Sequence, residues 1–327
     1  MRRREVITGL ATTFLATSAR SVRAQTDTWP SRTITMVVPF PPGGQGDLAA
    51  RPVAIALERI LGRSVIVENR GGAGGALGNA AVARAEPDGY TLLMTLSSLA
   101  VLPEADRLFG RRPAYEVDQL QPIGRVLADP TLLAVPAAAP WKTLTDFVAD
   151  AKARPQSIPY GSSGPYGTLH IAMEMFAKAA NINLVHVPYR GAGPALNGLL
   201  GGQIQALASA PGVLKPHVES GAIRVLANWG STRIGSFSDV PTFKELGFPD
   251  VEFYIWAGLF APRGVPDAVR ARLESALEQA MRDPDVVRTF ETAGSPPAYQ
   301  ARAEFARFVE QDSARLIAAT QKIGKVE

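Results

Sequence analysis

Short β-branched runs that end in a glycine-rich turn, each followed by a helical period, recur along this chain and constrain its fold more than any other feature. Ile34-Thr35-Met36-Val37-Val38 is one such run, dense in the residue types that suit a buried strand. Residues 39–46 form the turn. Leu48, Val53, Leu57, Ile60 and Leu61 then recur at helical spacing, and Gly62 closes the period. Asp47 stands where a helix cap is expected. Val65-Ile66-Val67 runs into Asn69-Arg70-Gly71-Gly72-Ala73-Gly74-Gly75 and an alanine-rich helix to Ala85. After the Pro87-Asp88-Gly89 turn, residues 90–96 give a third strand. This β-α-β-α-β order implies a parallel sheet with right-handed crossovers.

A second alternating series follows. Its strands are expected at 157–161, 184–187, 204–209 and 223–227, and its helices at 168–180, 195–200 and 213–219. Strands at 121–126 and 131–135, and a helix at 141–154 capped by Thr143 or Thr145, link the two series. A strand at 253–259 and helices at 266–281 and 301–319 complete the chain. The series join near 127–131 and again near 248–258. The pattern predicts an α/β fold of two lobes, with two crossover strands at a hinge and a ligand site in the cleft between them. The first lobe is expected over 25–127 and about 250–295, the second over 128–249. A C-terminal helix from about 296 to 327 is expected to pack across both.

The first 24 residues read as an export signal. Arg2-Arg3-Arg4 is a positive n-region, residues 6–16 are mostly apolar, and Val22-Arg23-Ala24 allows cleavage after Ala24. The apolar stretch is about half the length a membrane-spanning helix needs, roughly 20 residues. Arg3-Arg4-Glu5-Val6-Ile7 fits the twin-arginine pattern as well as the general secretory one. The charge balance follows from this segment. The chain holds 34 basic and 30 acidic residues, and the signal takes five of the former and one of the latter, leaving 29 of each. The mature chain is neutral without a basic run, so no nucleic-acid partner is expected.

Four kinds of chemistry are excluded residue by residue. There is no cysteine, hence no disulfide or thiolate site. His170, His186 and His217 lack metal-ligand spacing, so no metal is expected. Of the three, His170 is placed to reach the cleft from the first turns of its helix. Gly72, Gly74 and Leu77 fail the dinucleotide fingerprint at its third glycine, and no phosphate-loop lysine follows; no cofactor is expected. Gly161-Ser162-Ser163-Gly164-Pro165 fails the nucleophile-elbow pattern at Pro165, so no catalytic residue is assigned. Anion binding is the positive reading. The Pro41-Pro42-Gly43-Gly44 turn and the 161–168 loop sit between strand ends and helix starts, where free N–H groups and the helix dipole favour negative charge. Arg190, just past a strand, can clamp a carboxylate with two hydrogen bonds, or pair with a surface acid.

Several segments in order resemble one family: Trp29-Pro30-Ser31-Arg32-Thr33-Ile34, Val38-Pro39-Phe40-Pro41-Pro42-Gly43-Gly44 with Asp47, Val67-Glu68-Asn69-Arg70-Gly71-Gly72-Ala73-Gly74-Gly75, Pro87-Asp88-Gly89-Tyr90-Thr91-Leu92, Val187-Pro188-Tyr189-Arg190-Gly191, Leu200-Gly201-Gly202-Gln203, Asp239-Val240-Pro241-Thr242 and Gly258-Leu259-Phe260-Ala261-Pro262. The chain resembles the tripartite tricarboxylate transporter receptors, the Bug proteins, from about residue 29 to its end. That resemblance implies a periplasmic Venus-flytrap receptor that closes on a small carboxylate and delivers it to a two-part membrane permease. A monomer is expected. It implies ligand contacts at Pro42, Gly43, Gly44, Asp47, Thr95, Ser97 and Ser98 in the first lobe. In the second it implies Ser162, Ser163, Gly164, Thr168, Tyr189 and Arg190, with His170 and Ser209 beside them. A sensor subunit of a membrane kinase and a periplasmic hydrolase are the alternatives. Two departures from the family pattern bear on the ligand. Leu99-Ala100-Val101-Leu102 is apolar where relatives carry His and Asn, and Ser209-Ala210 replaces an Asp-Asn pair that can meet an ammonium group. The expectation is a carboxylate with an apolar or aromatic body, not an amino acid.

Overall fold

A computed structural model describes residues 29–326, so the expected signal segment lies outside the described residues. The chain runs β1 (Ile34–Val38), α1 (Gln45–Leu61), β2 (Val65–Asn69), α2 (Ala76–Ala83), β3 (Thr91–Leu96), α3 (Ser98–Leu108) and β4 (Leu120–Pro130). It continues with β5 (Leu132–Pro136), α4 (Leu144–Ala153), β6 (Pro159–Ser162), α5 (Thr168–Ala180), β7 (Val185–Pro188), α6 (Ala192–Leu200), β8 (Ala206–Ser209), α7 (Pro211–Glu219) and β9 (Ile223–Asn228). It ends with β10 (Tyr254–Pro262), α8 (Asp267–Arg282), α9 (Pro284–Ala293), β11 (Gln300–Ala301) and α10 (Arg302–Ile323).

Two sheets result, one per lobe. The first has the order β11-β4-β10-β3-β1-β2 and the second β7-β6-β8-β5-β9. β1, β2 and β3 are parallel, as are β6, β7 and β8, so each group sends its glycine-rich loops to one sheet edge. β10 enters antiparallel between β3 and β4. The fully buried strand residues Ile34, Met36, Val37 and Val38 in the first lobe, and Ala206, Leu207 and Ala208 in the second, explain the continuous apolar runs of the sequence.

The two crossings lie side by side. Thr131, between β4 and β5, donates its N–H to the Phe253 carbonyl at 3.2 Å and accepts from Trp229 at 2.8 Å; Phe253 in turn donates to the Trp229 carbonyl at 3.1 Å. A third connection is made by α10. Phe305 is buried against Gly258, where an added Cβ would fall 2.2 Å from its ring. Trp256 donates its indole N–H to Asp312 at 2.7 Å. Beyond α10, the Gly324 carbonyl accepts from the Tyr166 hydroxyl at 2.8 Å, tying the C-terminal segment to the second lobe.

Three local features differ from the sequence reading. Helix α1 starts at Gln45 with Gly44 as its N-cap, so Asp47 lies in the first turn and is not the cap. Residues 98–108 form helix α3, to which the sequence reading assigned no element; an all-apolar start gives no amphipathic period to detect. Helix α9 was likewise unread; its cap is Asp283, whose side chain accepts from the Asp285 N–H. One contact holds the first glycine turn against α2. A Cβ on Gly78 would lie 2.7 Å from Pro39 Cα and 2.8 Å from the Arg70 carbonyl oxygen, and both are backbone atoms. Gly78→Ala should therefore lower stability by about 1–3 kcal/mol through overpacking. Helix propensity alone would raise it by roughly 1 kcal/mol. The sign of the shift in urea unfolding decides between them.

Candidate ligand-binding site

Four helix starts converge on one gap between the lobes. Gly44, Gln45 and Gly46 open α1; Thr168 and Leu169 open α5; Ala192 opens α6; Ala210 caps α7. All line the same narrow pocket, whose empty space is about 350 Å³ only when the part open to solvent is included. Neither α1, capped by Gly44, nor α5, capped by Gly167, has a side-chain cap hydrogen bond. Their first N–H groups have no intrahelical acceptor, and the positive dipole ends of one helix from each lobe face the same space. Apart from Ser163 and Ser209, the rest of the wall is apolar: Phe40, Leu96 and Ile255 from the first lobe, with Leu169 and Ala192 from the second.

Three buried polar atoms on this wall have no hydrogen-bond partner among the described residues: Gln45 Oε1, Ser163 Oγ and Thr168 Oγ1. Leaving such an atom unmade costs about 1–3 kcal/mol each. Sites that keep them from opposite sides of a cleft are built for something that completes them.

The lobes touch along the rim of this gap through glycines. A Cβ on Gly74 of the first lobe would lie 3.3 Å from the Pro165 carbonyl oxygen and 3.5 Å from Gly167 Cα. One on Gly193 would lie 3.0 Å from the Pro42 carbonyl oxygen, and one on Gly44 would lie 3.4 Å from Ala192 Cβ. The 71–75 loop, which failed as a nucleotide motif, is thus one half of a closing seam.

Of the residues singled out in the sequence, Gly44, Ser163, Thr168 and Ser209 line the pocket. Pro42, Gly43 and Gly164 stand at the rim. Asp47 braces the loop. Its carboxylate accepts from the Gly43 N–H at 3.1 Å, from Asn69 at 3.0 Å and from Arg51 Nη2 and Nε at 2.8 and 2.9 Å. Burial pushes its pKa up, but these donors outweigh burial and hold it below the ordinary carboxylate value. Thr95 donates to Asn79 Oδ1 at 2.9 Å inside the first lobe, Ser98 to the Gly74 carbonyl at 3.4 Å, and Ser97 precedes α3; none of the three lines the pocket. Leu99, Ala100, Val101 and Leu102 are buried in the first lobe and also lie off the pocket wall.

Ser162, His170 and Tyr189 lie behind the second-lobe loop. Ser162 Oγ is 2.6 Å from His186 Nε2 and accepts from the Gly164 N–H at 3.1 Å. His170 Nδ1 accepts from the Tyr166 N–H at 2.9 Å, and its ring stacks on His186 with centroids 4.1 Å apart. The Tyr189 hydroxyl donates to Gln203 at 3.2 Å. Arg190 is exposed and makes no ion pair among the described residues. Ser162 and His186 form the nearest approach to a nucleophile–base pair. Ser162 is fully buried behind the loop, however, and burial holds the His186 pKa down to about 4. No described carboxylate orients that imidazole, so the pair lacks the third member acyl transfer uses.

Residues 49–325 match the family described as "Tripartite tricarboxylate transporter family receptor". BugT of Bordetella pertussis is 33% identical over 312 residues, covering 95% of both chains. The chain belongs to the tripartite tricarboxylate transporter receptor family. MatC from Rhodopseudomonas palustris, solved with malate, is 29% identical with a TM-score of 0.84, over 89% of this chain and 100% of that one. Rpa4515 of the same organism, solved with adipate, is 29% identical with a TM-score of 0.85, over 90% and 98%. A receptor of this family binds and does not transform, which agrees with the burial of Ser162. The pocket wall also holds residues that the sequence did not single out as contacts: Phe40, Gln45, Leu96, Leu169, Ala192 and Ile255. Gln45 alone left a signal, as the residue directly after Gly43-Gly44.

Proposed function

We propose that this receptor is periplasmic and captures a small carboxylate with an apolar body for a tripartite tricarboxylate-type permease in the membrane. The observation that carries this is the pair of helix starts, α1 and α5, which bring unbonded N–H groups and the Ser163 and Thr168 hydroxyls to one gap from opposite lobes. The apolar remainder of the wall suits an aliphatic or aromatic body. Ser209 and Ala210 offer no carboxylate for an ammonium group. Malate and adipate in two similar receptors support the ligand class.

The contacts are assigned to Gly44, Gln45, Ser163, Thr168 and Ser209. Residues up to 127 and about 250–295 form the first lobe, 128–249 the second, and the helix from about 296 lies across both. Export by a cleaved signal and a monomeric state belong to the same proposal. Thermal-shift screening of mono- and dicarboxylates against amino acids tests the ligand class. Carboxylates alone should raise the unfolding temperature. Ser163→Ala and Thr168→Ala should each weaken binding roughly tenfold or more, as lost hydrogen bonds to a charged group cost about 1.5–3 kcal/mol. Tight binding of amino acids only would overturn the proposal.

A further inference from the structure

Beneath the pocket floor, at the hinge, lies a buried acid that the site described above does not use. Asp129 is 3% exposed, two residues before the crossing at Thr131. From α1 it meets Gln45, whose Nε2 donates to Asp129 Oδ2. From the segment after α9 it meets the Ser295 hydroxyl. That hydroxyl already accepts from the Gly212 N–H of α7 at 3.2 Å, so its own proton is free for the carboxylate. Across the sheet its register neighbour is Ile255 on β10, itself on the pocket wall. No charged side chain among the described residues adds to this set of partners. Burial pushes the Asp129 carboxyl up to about 7, against the pull of the Ser295 and Gln45 hydrogen bonds.

Gln45 hydrogen-bonds this acid and also lines the pocket. It is 3% exposed, and with Nε2 committed to Asp129 its Oε1 is buried without a partner among the described residues. A carbonyl oxygen repels a carboxylate. Rotating the same amide by half a turn would present two N–H donors instead, provided Asp129 supplies a proton to Oε1.

We propose that Asp129 and Gln45 form a proton-linked selector: protonated Asp129 donates to Gln45 Oε1 and turns the amide NH2 toward a ligand carboxylate, while ionised Asp129 turns the carbonyl toward the pocket. The selector rests on the carboxylate reading above. It makes carboxylate capture take up a proton from solvent onto Asp129 whenever the free receptor holds that acid ionised. Binding the anion then favours the protonated acid, so affinity is full below the titration of the free receptor and falls by up to tenfold per pH unit above it.

Calorimetry with L-malate and adipate from pH 6 to 9, in buffers of different ionisation heat, tests this. The wild type should take up close to one proton per ligand at pH 8 to 9. Asp129→Asn, whose amide donates to Gln45 Oε1 at every pH, should bind with no proton uptake and with the same affinity at pH 6 and 9. Gln45→Met keeps the acid but lacks the amide, and should lose both the linkage and affinity. Binding by the wild type with no proton uptake, or an Asp129→Asn variant that keeps the wild-type pH slope, overturns the selector alone. Failure of both dicarboxylates to bind at any of these pH values overturns the carboxylate reading, and the selector with it.

Discussion

Gly74→Asn and Gly193→Ala should each weaken ligand binding by roughly 5- to 150-fold while the unliganded proteins stay folded. The two glycines occupy the seam where the lobes meet, Gly74 against Pro165 and Gly167, and Gly193 against the Pro42 carbonyl. A side chain at Gly193 must be accommodated only when the lobes close, whereas one at Gly74 also meets Leu102 Cδ2 of its own lobe at 3.1 Å. Overpacking of this kind costs about 1–3 kcal/mol, and a penalty confined to the closed state appears directly in the apparent affinity. The pair is chosen to separate closure from backbone strain. Gly74 has φ +67°, in the left-handed region that asparagine tolerates best among side-chain-bearing residues. Gly193 lies in the first turn of α6, and alanine there should stabilise the free protein slightly, by up to about 1 kcal/mol. A free protein that is more stable yet binds less tightly cannot be explained by damage to either lobe. Calorimetry with adipate and thermal unfolding without it supply the two readouts. Wild-type affinity in Gly193→Ala would show that the seam does not form on closure.

The periodicities of the chain carried the fold because each lobe is built from local β-α units. The strand-turn-helix order of 34–61 and 157–180 is visible without any tertiary information. The site was legible only in part, and the failures have geometric causes. Arg190 sits at the end of a strand, as expected, but β7 is the outermost strand of its sheet, so the side chain meets solvent. Strand order is not written in a sequence. Thr168 and His170 are two residues apart on one helix, about 200° around its axis. The first reaches the pocket and the second the lobe interior. Asp47 is expected as a ligand contact from the family resemblance, and as a cap from its place before the helical period. The real start after Gly44 leaves no side-chain signal, since a glycine cap has none, and turns Asp47 back onto the loop.

His170→Asn should remove a large share of the acid sensitivity of this fold. The His170 ring is fully buried, stacked on His186, with Nδ1 taken by the Tyr166 N–H. Its other nitrogen lies 3.9 Å from Glu174 Oε1, an oxygen that already accepts from the Tyr160 hydroxyl. Burial first, and then the neighbouring His186, lower the His170 pKa from 6.5 to about 3. The folded state therefore prefers the neutral ring, while the unfolded chain takes up a proton as pH drops through 6.5. Stability from this group is complete above about pH 6.5 and is lost on acidification toward pH 3, roughly 3 kcal/mol of it by pH 4. Asp129 and Glu174 act in the opposite sense. Burial raises both of their pKa values, so the folded state binds protons that the unfolded chain does not and gains stability as pH falls. The stability of the wild type alone therefore hides the histidine. The difference between wild type and His170→Asn does not, because both proteins carry the same two acids. In urea titrations, that difference should shift against the wild type by about 3 kcal/mol between pH 7 and pH 4, whatever constant packing loss the substitution brings. A difference independent of pH would mean that the ring is solvated or protonated in the fold, and that the loop from Ser162 to Thr168 is not propped by neutral imidazoles.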